Sequence, residues 1–333
     1  MNISRSVVAG LALALGLAGV SPVSVAAPQS AVDRPAIMSA KASRSLLLDL
    51  AQAGSRLVVV GDRGHILFSD DQGKSWVQAK VPVSVMLTSV YFANAQEGWA
   101  VGHNGVILYS SDAGASWQLQ HADKDANSEK AGAPLLGVWF ADNQNGFAVG
   151  AYGYFLATHD GGSTWSDNSS AISNTDGWHL NAIRGQQGGN TVFIVGEHGT
   201  LFRSQDKGAS WQTLHAPFDG SFFGISPIAP DMVLLYGLQG RLFASSDQGG
   251  SWRQLQTGVT SGLNAATRLG NGHVVVAGNA GVVLSASDNG LNFITETRSD
   301  RQSITALWPL QDGGFLTAGD GGVKVLPAAA AGK

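Results

Sequence analysis

The sequence predicts an all-β chain folded as a seven-bladed β-propeller of four-stranded antiparallel blades, and three observations carry that prediction. A Gly-x-x-Gly pair recurs seven times, with first glycines Gly61, Gly102, Gly150, Gly196, Gly237, Gly278 and Gly319, at intervals of 41, 48, 46, 41, 41 and 41 residues. Behind five of these pairs stands Ser/Thr-x-Asp-x-Gly-x-Ser/Thr-Trp, starting at Ser69, Ser110, Thr158, Ser204 and Ser245, with a decayed sixth copy from Ala286. The runs flanking each glycine pair are short, apolar and rich in strand-forming residues. A period of roughly forty residues built from strands and turns is the signature of a propeller.

The second repeat gives the template. Leu87–Phe92 alternates and reads as strand A. A turn at 94–98 leads to strand B at Trp99–Val101, the Gly102–Gly105 turn follows, and Val106–Ser110 is strand C. The Asp-containing turn then precedes strand D, Trp117–Gln120. In the B–C turn, glycine is expected to supply positive φ without steric cost. The other repeats fit this template, with blades starting near residues 45, 86, 135, 179, 222, 262 and 303. They leave no room for a second domain, so 27–333 reads as one propeller.

The seventh repeat has no Asp turn and no strand D after Val323–Leu326. An open sheet edge invites a covering strand. The segment Val32–Ala40 precedes strand A of blade 1 and is otherwise unassigned, so it is expected to complete blade 7 and close the ring.

Residues 1–26 read as a targeting segment. Arg5 gives a positive start, Val7–Val20 is apolar, and Ser24-Val25-Ala26 is a small-x-small cleavage site. The apolar run is about fourteen residues, short of the roughly twenty a bilayer needs. The chain is therefore expected to be exported, to the periplasm or, in a photosynthetic source, to a compartment like the thylakoid lumen.

Composition narrows the function. The chain has 333 residues and a net charge of −4, which disfavours a nucleic-acid partner. It has no cysteine, so no disulfide framework, thiolate nucleophile or lipid-modified cysteine is available. No cofactor is expected, and the mature chain reads as a monomer.

The Asp turns read as structural. A short Asp side chain accepts hydrogen bonds from backbone N–H groups further along the turn. The glycine takes a left-handed conformation, and the Trp packs on the neighbouring repeat with its N–H on a carbonyl. Asp71, Asp112, Asp160, Asp206, Asp247 and Asp288 hold this position once per blade.

The B–C turns and D–A connections share the opposite face, and their chemistry varies. The paired glycines enclose Asp62-Arg63, His103-Asn104, Ala151-Tyr152, Glu197-His198, Leu238-Gln239, Asn279-Ala280 and Asp320-Gly321. Interchangeable Asn, Asp and Gly would suffice for turns alone. The candidate binding residues are therefore Arg63, His65, His103, Tyr152, Tyr154, Glu197, His198 and Arg241, all on blades 1 to 5. A metal site from His65, His103 and His198 is disfavoured, because their spacings are those of the repeat. Two D–A connections are enlarged, 121–134 and 167–177, and long loops on a rigid scaffold often carry recognition.

The stretches VGDRGHILFSDDQGKSW, GWAVGHNGVILYSSDAGASW and FIVGEHGTLFRSQDKGASW resemble the Asp-box, or bacterial neuraminidase repeat, proteins. Within that group they resemble the photosystem II stability/assembly factor family over nearly the whole mature chain. The resemblance implies a seven-bladed, non-enzymatic propeller that binds a membrane or envelope protein complex during assembly. It also implies a basic surface patch, to which Arg63 and Arg241 correspond, whereas the B–C turns of blades 6 and 7 contain no arginine. Two other readings remain open. Asp boxes also occur in sialidases and xyloglucan hydrolases, and a carboxylate pair from Asp62 and Glu197 would suit a glycosidase. An accessory subunit of an envelope transporter would have the same protein-binding chemistry.

Overall fold

The computed structural model describes residues 30–123, 130–287 and 291–327. The targeting segment, Asp288 and the C-terminal tail lie outside the described residues. Seven antiparallel sheets follow one another, six in the order A-B-C-D from the centre outward and the seventh, among the described residues, in the order A-B-C. The A strands are Leu47–Ala53, Leu87–Phe92, Leu135–Phe140, Leu180–Gly185, Phe222–Pro227, Leu263–Arg268 and Ile304–Pro309. Each packs on the A strand of the next blade, and the seventh packs on the first. Strand B is buried along its whole length in blades 2 to 7, which makes the interface between sheets the core.

Every strand A carries a β-bulge at its second residue. A bulge re-aims its side chain, and here it points four polar side chains at the next blade. Thr88 Oγ1 donates to Leu135 O at 2.6 Å, and Asn181 Nδ2 to Phe222 O at 2.8 Å. Asn264 Nδ2 donates to Ile304 O at 2.9 Å, and Thr305 Oγ1 to Leu47 O at 2.8 Å. The last of these joins blade 7 to blade 1, so the ring closes with the same bond that links its interior blades. Leu47, Leu57, Ala306 and Leu316 form the core of that junction.

The expected closing strand is not where the sequence placed it. Among the described residues the seventh sheet has three strands, and the Val32–Ala40 segment does not pair with it. That segment instead lies against the outer end of blade 1. Ser84 N–H donates to Ala31 O at 2.8 Å, Ala36 N–H to Val81 O at 3.0 Å, and Ser39 N–H to Gln78 Oε1 at 2.8 Å. Val32 is buried among Val81, Val83 and Val85. The physical reason is apolar matching: the link between blades 1 and 2 offers three buried valines that need a cover, whereas blade 7 offers the partly exposed Val325.

The glycine pairs meet the expectation of positive φ at their second member and depart from it at the first. The first glycine is extended, with Gly61 at φ −178°. It is required by close approach: a Cβ on Gly61 would sit 2.2 Å from Leu46 O. The same clash, at 2.0–2.3 Å, recurs at all seven first glycines. The following N–H donates to that same carbonyl in every blade, at 2.9–3.1 Å. In the first six repeats the left-handed conformation belongs to the third and fourth residues of the turn, the fourth being glycine, and in the seventh to Gly322. The non-glycine residue is Arg63, Asn104, Tyr152, His198, Gln239 or Ala280, with φ between 49° and 60°.

The Asp turns hold a constant hydrogen-bond set. Asp112 Oδ1 accepts from Ser110 Oγ at 2.8 Å and from Ser116 N–H at 2.9 Å, while Oδ2 accepts from Ser116 Oγ at 2.6 Å. Asp71, Asp160, Asp206 and Asp247 repeat this pattern. Hydrogen bonds from the second Ser/Thr hydroxyl bring the carboxyls of Asp71 and Asp160 down to about 2. The indoles depart in part from expectation. Trp76 and Trp117 donate to Gly73 O and Gly114 O, at 3.1 and 3.0 Å, whereas Trp165, Trp211 and Trp252 bury their N–H without a partner among the described residues.

Candidate functional site

The bond between each B–C turn and the start of its strand A clamps turns and D–A loops into one face. On that face the left-handed residues project from the rim. A non-glycine residue in this conformation costs on the order of 1 kcal/mol. Asn tolerates it best, yet the chain places Arg63, Tyr152 and His198 there.

The candidates fall into three groups. In blades 3 to 5 the structure brings several together. Tyr152 is 61% exposed and meets the His179 imidazole edge-on, with ring centroids 5.0 Å apart. His179 N–H donates to Glu197 Oε2 at 3.1 Å, and His179 Nδ1 lies 3.7 Å from Glu197 Oε1. Next to it, the Trp178 indole stacks on His198 with centroids 3.7 Å apart. Asn174 fixes Trp178 from both sides, accepting its N–H at 3.1 Å and donating to its carbonyl at 2.9 Å. Gly199 N–H donates to Gly220 O at 3.0 Å and ties in the next D–A loop. There the Arg241 guanidinium lies 5.4 Å from the Phe218 ring centre. Tyr152–His179, Trp178–His198 and Phe218–Arg241 are thus three side-chain pairs on neighbouring turns and loops of one face.

The second group lies on blades 1 to 3. Arg63 is 80% exposed at its side chain and pairs with Asp62 at 3.3 Å, and His103 is exposed. His65 and Tyr154 are buried, so they support the rim rather than present a surface. His65 Nδ1 is 3.0 Å from Ser45 Oγ, and burial lowers its pKa, with Arg63 adding to that and Asp62 opposing it. Tyr154 lies under the Lys130 ammonium, 4.9 Å from its ring centre, and burial raises its phenol pKa.

The third group was missed by sequence reasoning and supplies the arginines that the B–C turns of blades 6 and 7 lack. Its arginines come from the D–A loop between them, and its lysine from strand C of blade 7, Lys324–Leu326. Arg298 and Lys324 both contact Asp300 at 2.8 Å, and Arg301 is exposed with φ 51°. Hydrogen bonds from Arg298 and then Lys324 hold the Asp300 carboxyl far below the usual carboxylate range. Trp178, His179 and Phe218 were also missed, because they lie in D–A loops that have no period. Their signal was aromatic residues in a loop rather than a strand.

The carboxylates suggested for hydrolysis do not form a pair. Asp62 faces Arg63 on blade 1, and Glu197 faces His179 on blade 4. No group of three or more metal-binding side chains occurs among the described residues.

A sequence profile described as "Photosynthesis system II assembly factor YCF48" matches residues 70–131 and 130–322. The chain belongs to this family. No curated protein matches it significantly. Solved YCF48 structures share the fold. One, described as YCF48 bound to D1 peptide, superposes with a TM-score of 0.68 at 16% identity, covering 86% of this chain and 94% of that one. YCF48 from Cyanidioschyzon merolae gives 0.65 at 15% identity, covering 85% and 96%. A streptogramin B lyase gives 0.69 at 11% identity, covering 85% and 94%, so fold likeness extends to an enzyme. Membership of the YCF48 family supports a protein-binding assembly scaffold for a membrane complex.

Proposed function

We propose that this YCF48-family propeller is an exported, monomeric, non-enzymatic scaffold that captures a membrane or envelope protein through the face bearing its B–C turns. The observation that carries this reading is the set of three pairs on that face, Tyr152–His179, Trp178–His198 and Phe218–Arg241. Aromatic residues and arginine dominate the energetics of protein interfaces, and here they sit on a rigid ring. The peptide in the solved structure described as YCF48 bound to D1 peptide supports a peptide-like segment as the partner's contact. The leader expected at residues 1–26 supports export, to the periplasm or a lumen-like compartment. The Asp turns, uniform and on the other face, serve the fold.

The test is capture of the partner from detergent-solubilised membranes by the mature protein. Arg63→Ala combined with Arg241→Ala abolishes capture without changing the melting temperature. Equal loss from Lys74→Ala with Lys207→Ala, on the Asp-turn face, identifies the other face instead. Turnover of a sialoside or β-glucan, lost in Glu197→Gln, refutes the non-enzymatic reading.

A further inference from the structure

The segment that was expected to close the ring has a second property. Its inner side is apolar and covered: Val32 is buried, and Ala31 and Ala36 pack on the same core. Its outer side is apolar and uncovered. Ile37 is 74% exposed and Met38 62%, beside Val77 at 54% on strand D of blade 1. The patch is held in place, since Gln78 donates to Ile37 O at 3.0 Å and accepts from Ser39 N–H.

Its surroundings are basic. Arg34, Lys41, Arg44 and Lys80 are exposed, and none of them forms an ion pair among the described residues. Asp33 is the acid of the same segment. For a chain with net charge −4, this is a local reversal of sign.

We propose that the segment and the outer edge of blade 1 form a contact surface for an anionic lipid bilayer. Ile37, Met38 and Val77 enter the boundary between headgroups and acyl chains, and Arg34, Lys41 and Lys80 meet lipid phosphates. Two arguments select this occupant. The charge is complementary to an anionic surface, and apolar side chains framed by Lys and Arg are the pattern of interfacial binding. The chain itself also leads there. The apolar run Val7–Val20 ends shortly before the segment, so in the precursor the patch is tethered within about 60 Å of the membrane that receives that run.

Vesicle flotation of the mature chain tests the proposal, because the leader can then contribute nothing. The probes are vesicles of phosphatidylcholine alone and vesicles containing about one-third phosphatidylglycerol. The protein floats with the anionic vesicles only, and raising the salt concentration releases it. Ile37→Ser with Met38→Ser weakens flotation about tenfold, as does Arg34→Ala with Lys80→Ala. Both pairs are exposed, so unchanged melting shows that the fold survives. Tyr152→Ala leaves flotation intact, which separates this surface from the protein-binding face. Absence of flotation, flotation equal on neutral lipid, or flotation unchanged by both double variants overturns the proposal. So does a patch that retains a membrane protein but ignores protein-free vesicles.

Discussion

The Arg184 guanidinium reaches the Asp49 carboxylate at 3.3 Å across the centre of the ring, joining blade 4 to blade 1. Asp49 is nearly buried and already holds three other donors. Ser89 Oγ lies at 2.6 Å, Val90 N–H at 3.1 Å and Leu50 N–H at 3.0 Å. The carboxylate therefore links the A strands of blades 1, 2 and 4.

Asp49→Ala strands Ser89 and Val90 as unpaired buried donors and should cost about 1–3 kcal/mol. Arg184→Ala leaves those bonds in place. The Arg184 side chain is 39% exposed, so solvent screening reduces its loss to about 1 kcal/mol or less. Urea denaturation of the two variants checks the order. A larger loss for Arg184→Ala would show that the ion pair, rather than the carboxylate's short bonds, holds the centre.

Ring closure gives a second expectation. Thr305→Val removes the bond to Leu47 and should lower stability by about 1 kcal/mol, the ordinary net value of one hydrogen bond. Removing residues 30–40 should act elsewhere, on Val81, Val83 and Val85 between blades 1 and 2. Hydrogen exchange then quickens in the backbone of 78–90 and stays unchanged in 304–326. The reverse pattern would restore the N-terminal segment to the closure of blade 7.

The Asp turns set the response to acid. Their side-chain hydrogen bonds bring Asp71, Asp160, Asp206 and Asp247 to about 2 in the folded chain, below the ordinary value of 3.8. A depressed carboxylate stabilises the fold above its unfolded pKa and loses that contribution as pH falls through its folded value. The melting temperature should accordingly fall from about pH 4 towards pH 2. Asp112→Ala, in a solvent-facing turn, should cost about 1 kcal/mol at neutral pH and flatten that acid response. A chelator should change nothing. Stabilisation by Ca²⁺ would show that these turns hold a metal.

The sequence displayed the features that repeat. The glycine spacing located every B–C turn because each first glycine answers one local demand, the carbonyl just before strand A, close to where a Cβ would stand. The Asp turns were legible for the same reason, since their partners lie within four residues. Ring closure was not legible. Thr305 and Leu47 are 258 residues apart, and an unassigned N-terminal strand was an equally economical cover for the edge. Trp178, His179, Phe218 and Arg298 escaped notice because D–A loops carry no period. His65 and Tyr154 were placed on the rim by position alone, and burial next to Ser45 and Lys130 puts them behind it.

Tyr152 ties backbone cost to recognition. At φ 54° it occupies a conformation that favours glycine, and its ring makes an edge contact with His179. Tyr152→Gly relieves the backbone but adds freedom to the unfolded chain, and these terms nearly cancel at about 1 kcal/mol each. The melting temperature should therefore stay the same or rise, while partner capture falls at least about tenfold, the loss typical of a dominant interface residue. Tyr152→Phe should keep most of the capture if the ring supplies it. The measurement is a calorimetric scan beside a pull-down on the same preparations. Full capture by Tyr152→Gly would mean that the tyrosine is a tolerated turn residue and that recognition lies with Trp178, His198 or Arg241.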